Sequence, residues 1–511
     1  MTEIIRKPAV AAKKNYDLII TGGGIYGVML AMEASRRGLN PLLLERDDFG
    51  GATSYHSLRI VHGGLRYLQS LDLPRFFESV GERRWMLRTF PNLVKSLPCL
   101  MPLYGEGLRR PAVMRIALGV NDLLSCYRNY QVPSECHLAN GKIVNSEQVK
   151  ELFPGVDAAG LQGGAVWYDG TMPDSQRLLI TILRWACSLG ATALNYVEAK
   201  ELLTENGQVK GILAKDTINN EYLEYHAPIV VNSAGPWCRE LAANFDKDIP
   251  KLFKSSIAWN VLLDRPAISD FALAIAPKKP DARTYFIRAW KGRLLVGTVH
   301  DPWRKAVTAN PMPTEAEIDN CLGDINEAIP GLNLQSQEIV KILSGLLPAQ
   351  EEGTDHLAHR EVIFDHSQQG KISGLYSVSG VKFTTSRLVA QKTIKKIFPQ
   401  AKKFSYTAKP PKELQTERGI FSYDWYPQEN NFNWKEELKT IIQQEAVEHL
   451  DDLVLRRTTI GDNPERALDL AAEICELFPW NAEQVEAEIN RLKTYFTARK
   501  PQIKKELQKV A

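Results

Sequence analysis

Three glycines and one glutamate have the types and spacing of a nucleotide-binding turn. Gly22, Gly24 and Gly27 form the pattern GxGxxG directly after the apolar run at residues 16–21. The first glycine allows a tight turn, the second lets the backbone approach a pyrophosphate, and the third lets the next helix pack on the strand. Glu45 follows about 20 residues later, where a carboxylate accepts hydrogen bonds from a ribose hydroxyl. These residues predict a dinucleotide site.

Small and hydroxyl-bearing residues follow the second strand of this unit. After Glu45 the chain continues through residues 46–54, which include Thr53 and Ser54. Their amides and hydroxyls would add contacts to the same phosphates. Such extended contacts suit a large, permanently bound FAD better than an exchanging nicotinamide nucleotide.

Two later stretches indicate that the nucleotide-binding fold is discontinuous. Residues 229–235 and 375–379 are apolar runs of the kind that form buried parallel strands. Thr384 or Thr385 would cap the helix after the second run, and the N-terminus of that helix would stabilise negative charge on a ligand.

The chain between and beyond these runs predicts two further units. Alternating residues favour strands of an antiparallel sheet, and helical periodicity favours a C-terminal helical unit. The predicted strands are 256–263, 284–289 and 294–299, and the predicted helices are 434–450, 464–478 and 482–496.

Composition narrows the class of protein. A chain of 511 residues is too long for one core. Its net charge of +3 argues against nucleic acid as a partner. The seven cysteines are scattered, which favours free thiols in a reducing compartment, and no metal site is predicted. Residues 1–15 lack the apolar core of a signal peptide, so we expect a cytoplasmic location.

The segment HGGLRYL at residues 62–68 resembles the FAD-dependent glycerol-3-phosphate dehydrogenase family, within the larger group of D-amino-acid-oxidase-like flavoproteins. It is more specific than the glycine turn, which many flavoproteins share. The other segments that carry the resemblance, in the family's order along the chain, are 22–27, 52–54, 231–237, 380–385 and 451–458.

The resemblance implies an α/β fold with three parts. These are a Rossmann-like FAD-binding domain, an antiparallel-sheet substrate domain and a C-terminal helical domain. The implied division assigns 16–90, 151–245 and 341–400 to FAD binding, 91–150 to a cap or membrane-facing segment, 246–340 to the substrate sheet and 413–511 to the helical domain.

The resemblance also implies the residues of the site. Converging guanidinium and ammonium groups fit a phosphate or carboxylate, because charge-assisted hydrogen bonds are stronger than neutral ones. The expected substrate side consists of Arg66, Tyr67, Arg360 and Lys382, although Arg360 is equally open to a surface ion pair. The expected FAD contacts are Gly22, Gly24, Gly27, Glu45, Thr53, Ser54, Val197, Gly235, Gly380, Lys382, Phe383 and Thr384.

Three polar positions depart from the family pattern. His300 stands where the family usually has an aspartate, Leu347 where an arginine usually precedes a proline, and Ile257 where a histidine is usual. Losing an arginine from an anion clamp should weaken phosphate binding, since a hydrogen bond to a charged group contributes about 1.5–3 kcal/mol.

The implied reaction is hydride transfer to flavin N5 from a hydroxylated, anionic substrate, glycerol 3-phosphate or a related polyol compound. A base must then accept the hydroxyl proton, and His62 and His300 are the candidates. Lys382 and the helix N-terminus after it would stabilise negative charge on the reduced flavin.

One segment bears on membrane contact and on the electron acceptor. Residues 109–124 form a basic amphipathic pattern that fits either a membrane surface or an ordinary helix covering the core. The family's position for this segment implies a quinone acceptor at the cytoplasmic face of the membrane. The sequence leaves a homodimer open.

Two other functions also fit these patterns. One is an amine or amino-acid oxidase of the same group, in which the cations hold a carboxylate. The other is a flavin-bearing protein without dehydrogenase activity, which serves in an assembly through its C-terminal helices.

Overall fold

The computed structural model describes residues 2–105, 107–245, 252–277, 282–369, 372–401, 409–415 and 434–499. The remaining parts of the proposed segments 246–340, 341–400 and 413–511 lie outside the described residues.

The glycine turn belongs to a six-stranded sheet, called the dinucleotide sheet below. Neighbouring strands are parallel except for the pair at one edge, Val362–Asp365 with Leu375–Ser379. The central strands have both faces buried, which is why they read as uninterrupted apolar runs. The order across the sheet is Val362–Asp365, Leu375–Ser379, Val230–Asn232, Leu18–Thr21, Pro41–Leu44 and Thr192–Leu194.

Helices cover this sheet and bring its strands together. The helix Ile25–Ser35 packs against both Ser175–Ser188 and Ser386–Ile397. It is buried on nearly all sides, so its apolar residues show no single stripe. The parallel strands and their covering helices confirm the predicted Rossmann-like unit, and its strands come from three separate parts of the chain.

The second sheet, called the substrate sheet, has nine strands and contains the three strands predicted from alternation. It also includes strands from residues 60–171, which the sequence did not assign to it. The order is Ile339–Pro348, Ser255–Pro266, Arg293–Pro302, Tyr285–Trp290, Ala272–Ile275, Lys95–Leu103, Gly163–Thr171 and Ile60–Val61, with Lys142–Val144 also paired to Gly163–Thr171.

The C-terminal part is helical, as predicted. Its helices are Trp434–Gln444, Pro464–Cys475 and Ala482–Ala498, with a short helical segment at Asp452–Arg457. Their apolar side chains share one buried cluster with residues of the substrate sheet. A three-stranded sheet comprises Val197–Glu205, Gln208–Asp216 and Glu221–His226, and the other helices are Pro8–Ala11, Leu65–Gln69, Leu73–Thr89, Pro111–Leu124, Ser146–Leu152, Cys238–Asn244, Glu315–Ala328 and Lys412–Gln415.

Two features of the described residues bear on environment. All seven cysteines are free thiols. Within the described ranges, every helix is too short or too polar to cross a lipid bilayer.

Candidate active site

One cavity of about 670 Å³ joins the dinucleotide sheet to the substrate sheet. It is lined by every predicted FAD-contact residue except Gly27, and also by His62 and His300. The structure therefore brings together residues that are separated by more than 300 positions in the sequence. This size is within the range of cofactor and small-molecule sites.

The glycine turn has the geometry that its spacing predicts. Gly22 has φ +100°, a left-handed conformation that favours glycine. A Cβ atom on Gly27 would lie 1.9 Å from the Gly22 carbonyl oxygen, so the third glycine permits contact between helix and turn rather than lining the cavity. The helix that begins at Ile25 therefore directs its N-terminal amides at the cavity.

Glu45 lies at the end of the second strand and lines the cavity. Its carboxylate accepts hydrogen bonds from the amides of Gly23 (2.6 Å) and Asp47 (2.9 Å). Burial, together with the charge of Asp47, raises the pKa of Glu45 to about 7. The carboxylate retains acceptor capacity for ribose hydroxyls, because each oxygen carries two lone pairs.

The substrate sheet forms the opposite wall with small and neutral polar side chains. Ala258 stands opposite both His300 and Gly345 on the neighbouring strands. Two residues along, the Thr298 hydroxyl lies 2.8 Å from the Asn260 side-chain oxygen. All five residues line the cavity. These five residues can position hydroxyl or amide groups, but they add no positive charge.

His300 is a neutral imidazole at physiological pH. Burial and the charges of Arg283 and Arg66 lower its pKa to about 4. Its Nδ1 atom is buried and makes no hydrogen bond within the described residues. Because the ring lines the cavity, a ligand there can hydrogen-bond to its other nitrogen, Nε2, although the low pKa makes this ring a weak base.

His62 is held by a carboxylate that the sequence analysis did not identify. Its Nδ1 lies 3.4 Å from Asp169 Oδ2, and half of the His62 side chain is exposed. Asp169 Oδ1 accepts hydrogen bonds from the Gly63 amide (2.7 Å) and Arg83 (2.5 Å). Burial opposes ionisation of Asp169, but the hydrogen bond from His62 and the charge of Arg83 lower its pKa to about 2. This pairing turns Nδ1 toward the carboxylate and leaves Nε2 available to accept a proton.

Lys382 is the predicted substrate cation that the structure places in the cavity wall. Its ammonium lies 4.1 Å from the centre of the Tyr67 ring. Burial, followed by the charge of Arg66, lowers the pKa of Lys382 to about 8. Arg66 and Tyr67 therefore act on the site from outside its lining, Arg66 through its charge and Tyr67 by packing on the ammonium.

Two residues singled out from the sequence lie away from the cavity lining. Arg360 is half-exposed, and its guanidinium is 3.9 Å from Glu78. This geometry matches the surface ion pair that was the other interpretation of this residue. Its substrate role stays a prediction. Ile257 packs in the core on the other face of its strand, so the departure at that position does not face the site. His300 and Leu347, the other two departures, do line the cavity.

Residues from the C-terminal helical part also line this cavity. They are Asp451, Arg456, Arg491 and Tyr495. Two of them belong to the segment 451–458 that carries the resemblance, but none was predicted as a site residue. Asp169 was also missed, because its partner His62 is 107 positions away.

Comparisons with known proteins agree with this geometry. The family described as FAD dependent oxidoreductase matches residues 17–395. The chain is 30% identical over 400 residues to a glycerol-3-phosphate dehydrogenase of Synechocystis, covering 75% of this chain and 70% of that protein. It is 30% identical over 439 residues to the mitochondrial glycerol-3-phosphate dehydrogenase SDP6 of Arabidopsis thaliana, covering 82% and 66%.

A solved structure is similar over the whole chain. The glycerol-3-phosphate dehydrogenase of Bacillus halodurans, complexed with FAD, superposes with a TM-score of 0.71 at 21% identity and covers 98% of both chains. The three-part architecture is thus that of a known flavoprotein fold.

Proposed function

The chain belongs to the FAD-dependent oxidoreductase family and takes FAD as its cofactor, and from this premise we propose that it is a dehydrogenase of hydroxylated, anionic substrates. The observation that carries the proposal is the position of Lys382, His62 and His300 around one cavity with the dinucleotide turn. Glycerol 3-phosphate is the first candidate substrate, because the relatives reported above bear that name.

The FAD-binding residues are those of the dinucleotide sheet and of the turn at residues 380–384. The amides at the start of the helix Ile25–Ser35 would hold the diphosphate, and Glu45 would accept from the ribose. When bound, FAD supplies the hydride acceptor. The residues of this chain then have to bind the substrate anion, orient its hydroxyl and remove one proton.

Each of these tasks has a candidate residue. Lys382 binds the anion, and Arg66 adds positive charge from the rim. His62 accepts the hydroxyl proton on Nε2, since Asp169 orients its ring and stabilises the imidazolium that forms. His300 donates or accepts a hydrogen bond as a neutral ring, because its pKa of about 4 disfavours proton uptake near pH 7.

An anaerobic screen tests this proposal directly. The FAD-loaded protein is mixed with glycerol 3-phosphate, 2-hydroxy acids and amino acids, and the flavin absorbance near the visible maximum is followed. We expect bleaching with an anionic alcohol. Bleaching with amino acids alone would favour the amine-oxidase alternative. A protein whose flavin no compound bleaches would not be a dehydrogenase of this class.

A second candidate substrate class rests on Leu347. It lines the cavity where a second arginine would complete a phosphate clamp, so Lys382 is the cation of the predicted substrate set that lines the cavity. One cation matches a carboxylate monoanion better than a phosphate dianion. The hydroxy acids in the screen test this alternative.

We further propose that the helix Pro111–Leu124 docks on an anionic membrane surface, where a quinone would accept the electrons. Ile116 and Leu123 are 70% and 74% exposed on this helix, and Leu71 is 81% exposed on the adjoining segment. Exposed apolar residues of this size, with Arg115 beside them, fit the headgroup region of a bilayer.

A further inference from the structure

The C-terminal helical part forms one wall of the cofactor cavity. It lies beyond the region that matches the oxidoreductase family, which ends at residue 395. Nevertheless Asp451, Arg456, Arg491 and Tyr495 line the same cavity as Glu45. A wall supplied by this part of the chain would contribute to FAD affinity as well as to the stability of the fold.

Two arginines of the C-terminal part hold the loop that follows Glu45. Arg456 Nε donates to Asp48 Oδ2 (2.5 Å), and Arg457 donates through Nη1 and Nη2 to the two oxygens of Asp48 (2.7 Å each). All three side chains are nearly completely buried. A buried carboxylate that receives three charge-assisted hydrogen bonds is fixed in place. The loop that presents Glu45 is therefore positioned from outside the dinucleotide sheet.

A second connection fastens the same loop from its other side. The Tyr196 amide donates to the Asp47 carbonyl (3.0 Å), and the Tyr196 hydroxyl donates to Asp452 (2.6 Å). Tyr196 thus links the loop to the helical segment Asp452–Arg457. Any movement of that segment would shift the loop on both sides.

Arg491 is a cation of this wall with free donors, and it is far more exposed than Arg456. Its Nε donates to Asp451 Oδ1 (2.6 Å), and Asp451 Oδ2 is held by Arg456 (2.8 Å). The terminal nitrogens of Arg491 make no hydrogen bond with any residue that the structure describes. The side chain is 43% exposed, and it lines both the cofactor cavity and an adjoining cavity of about 720 Å³ beside Arg46 and Asp47.

We propose that the C-terminal helical part completes the FAD site, with Arg491 as a direct ligand of the adenosine diphosphate half of the cofactor. The guanidinium has the donors for a phosphate or ribose oxygen, and Asp451 fixes its direction. Arg456 and Arg457 are positioning residues that act through Asp48. Binding of FAD and docking of the C-terminal helices must then stabilise each other, because a coupling between two equilibria is reciprocal.

The dissociation constant for FAD tests the direct contact. Apoprotein is titrated with FAD, and quenching of flavin fluorescence is measured for wild type, Arg491→Met, Arg491→Lys and Lys493→Met. We expect Arg491→Met to weaken binding about tenfold or more, Arg491→Lys to weaken it less, and Lys493→Met to match wild type. Lys493 is an exposed residue of the same helix that does not line the cavity. Equal affinity of wild type and Arg491→Met would overturn the proposal.

Hydrogen exchange provides a readout that does not depend on catalysis. Amides of the helix Ala482–Ala498 are compared with and without saturating FAD. We expect FAD to slow their exchange in wild type and to slow it less in Arg491→Met. Exchange that is unchanged by FAD in wild type would show that the C-terminal part is not coupled to the cofactor, and would also overturn the proposal.

Discussion

The proposed contact of Lys382 with the substrate anion predicts how substrate binding depends on pH. Burial and Arg66 place its pKa at about 8, below the ordinary value for lysine. The ammonium is charged below that pH and loses its charge as the pH rises above it. We expect KM for an anionic substrate to increase about tenfold per pH unit above pH 8. Lys382→Arg should keep KM nearly constant over the same range, because arginine stays charged. A KM independent of pH in the wild type would contradict this role.

Asp169 should matter for proton removal rather than for binding. Replacing it with asparagine keeps an acceptor for Gly63 and Arg83 but removes the charge that faces His62. We expect Asp169→Asn to lower kcat by about 10²-fold at unchanged FAD content, a loss in the range for general-base catalysis. The double variant with His62→Asn should have a kcat only slightly lower than that of Asp169→Asn, because the two residues act as a unit. If the two substitutions lower kcat by factors that multiply in the double variant, Asp169 has a purely structural role.

The glycine turn is the element whose prediction from sequence succeeded in detail. Its spacing is set by local geometry, since strand, turn, helix and acid all lie within residues 16–45. The strands of the substrate sheet were also recognisable, because alternation reflects one buried face. The strand Gly163–Thr171 of that sheet could not be recognised from the sequence. All nine of its residues are buried or nearly so, and the segment therefore does not alternate.

Gly27→Ala tests the packing between that turn and its helix. The new Cβ would lie 1.9 Å from the Gly22 carbonyl oxygen, so the backbone has to move. Overpacking of this kind costs about 1–3 kcal/mol, and we expect a lower melting temperature together with loss of bound FAD. Gly323→Ala is the control, since a Cβ there meets nothing within 4 Å in the helix Glu315–Ala328. It should leave the flavin content unchanged. A fully loaded Gly27→Ala protein would contradict the packing argument.

At the scale of the whole molecule, the site depends on contacts that span the chain. His62 meets Asp169 across 107 positions, and Asp48 meets Arg457 across 409. Neither pair leaves a periodic or local pattern, so sequence reasoning could identify the C-terminal helices but not their place beside the cofactor. The resemblance to a family supplied Lys382, Arg66 and Arg360. The fold places Lys382 in the cavity lining, Arg66 outside the lining and Arg360 in an ion pair at the surface.

The exposed apolar face around the helix Pro111–Leu124 gives a prediction about the assembled enzyme. Ile116→Glu with Leu123→Glu replaces two largely exposed side chains without disturbing Met114 and Leu118, which are buried on the other face. We expect this double variant to lose cosedimentation with vesicles that contain anionic lipid at low salt, because apolar contact and charge attraction both decrease. The flavin content and the anaerobic bleaching should stay as in wild type, since the helix lies outside the cavity lining.

Tyr222→Glu is the matched control for this face. Tyr222 is 61% exposed on the strand Glu221–His226 of the three-stranded sheet, so its replacement adds one glutamate at a distant apolar position. Vesicle binding of Tyr222→Glu should equal that of wild type. If the double variant instead binds vesicles normally but sediments at a lower mass, the face is an interface between two copies of the chain. Equal vesicle binding and equal mass for all three proteins would mean that this face contacts neither a membrane nor a second copy.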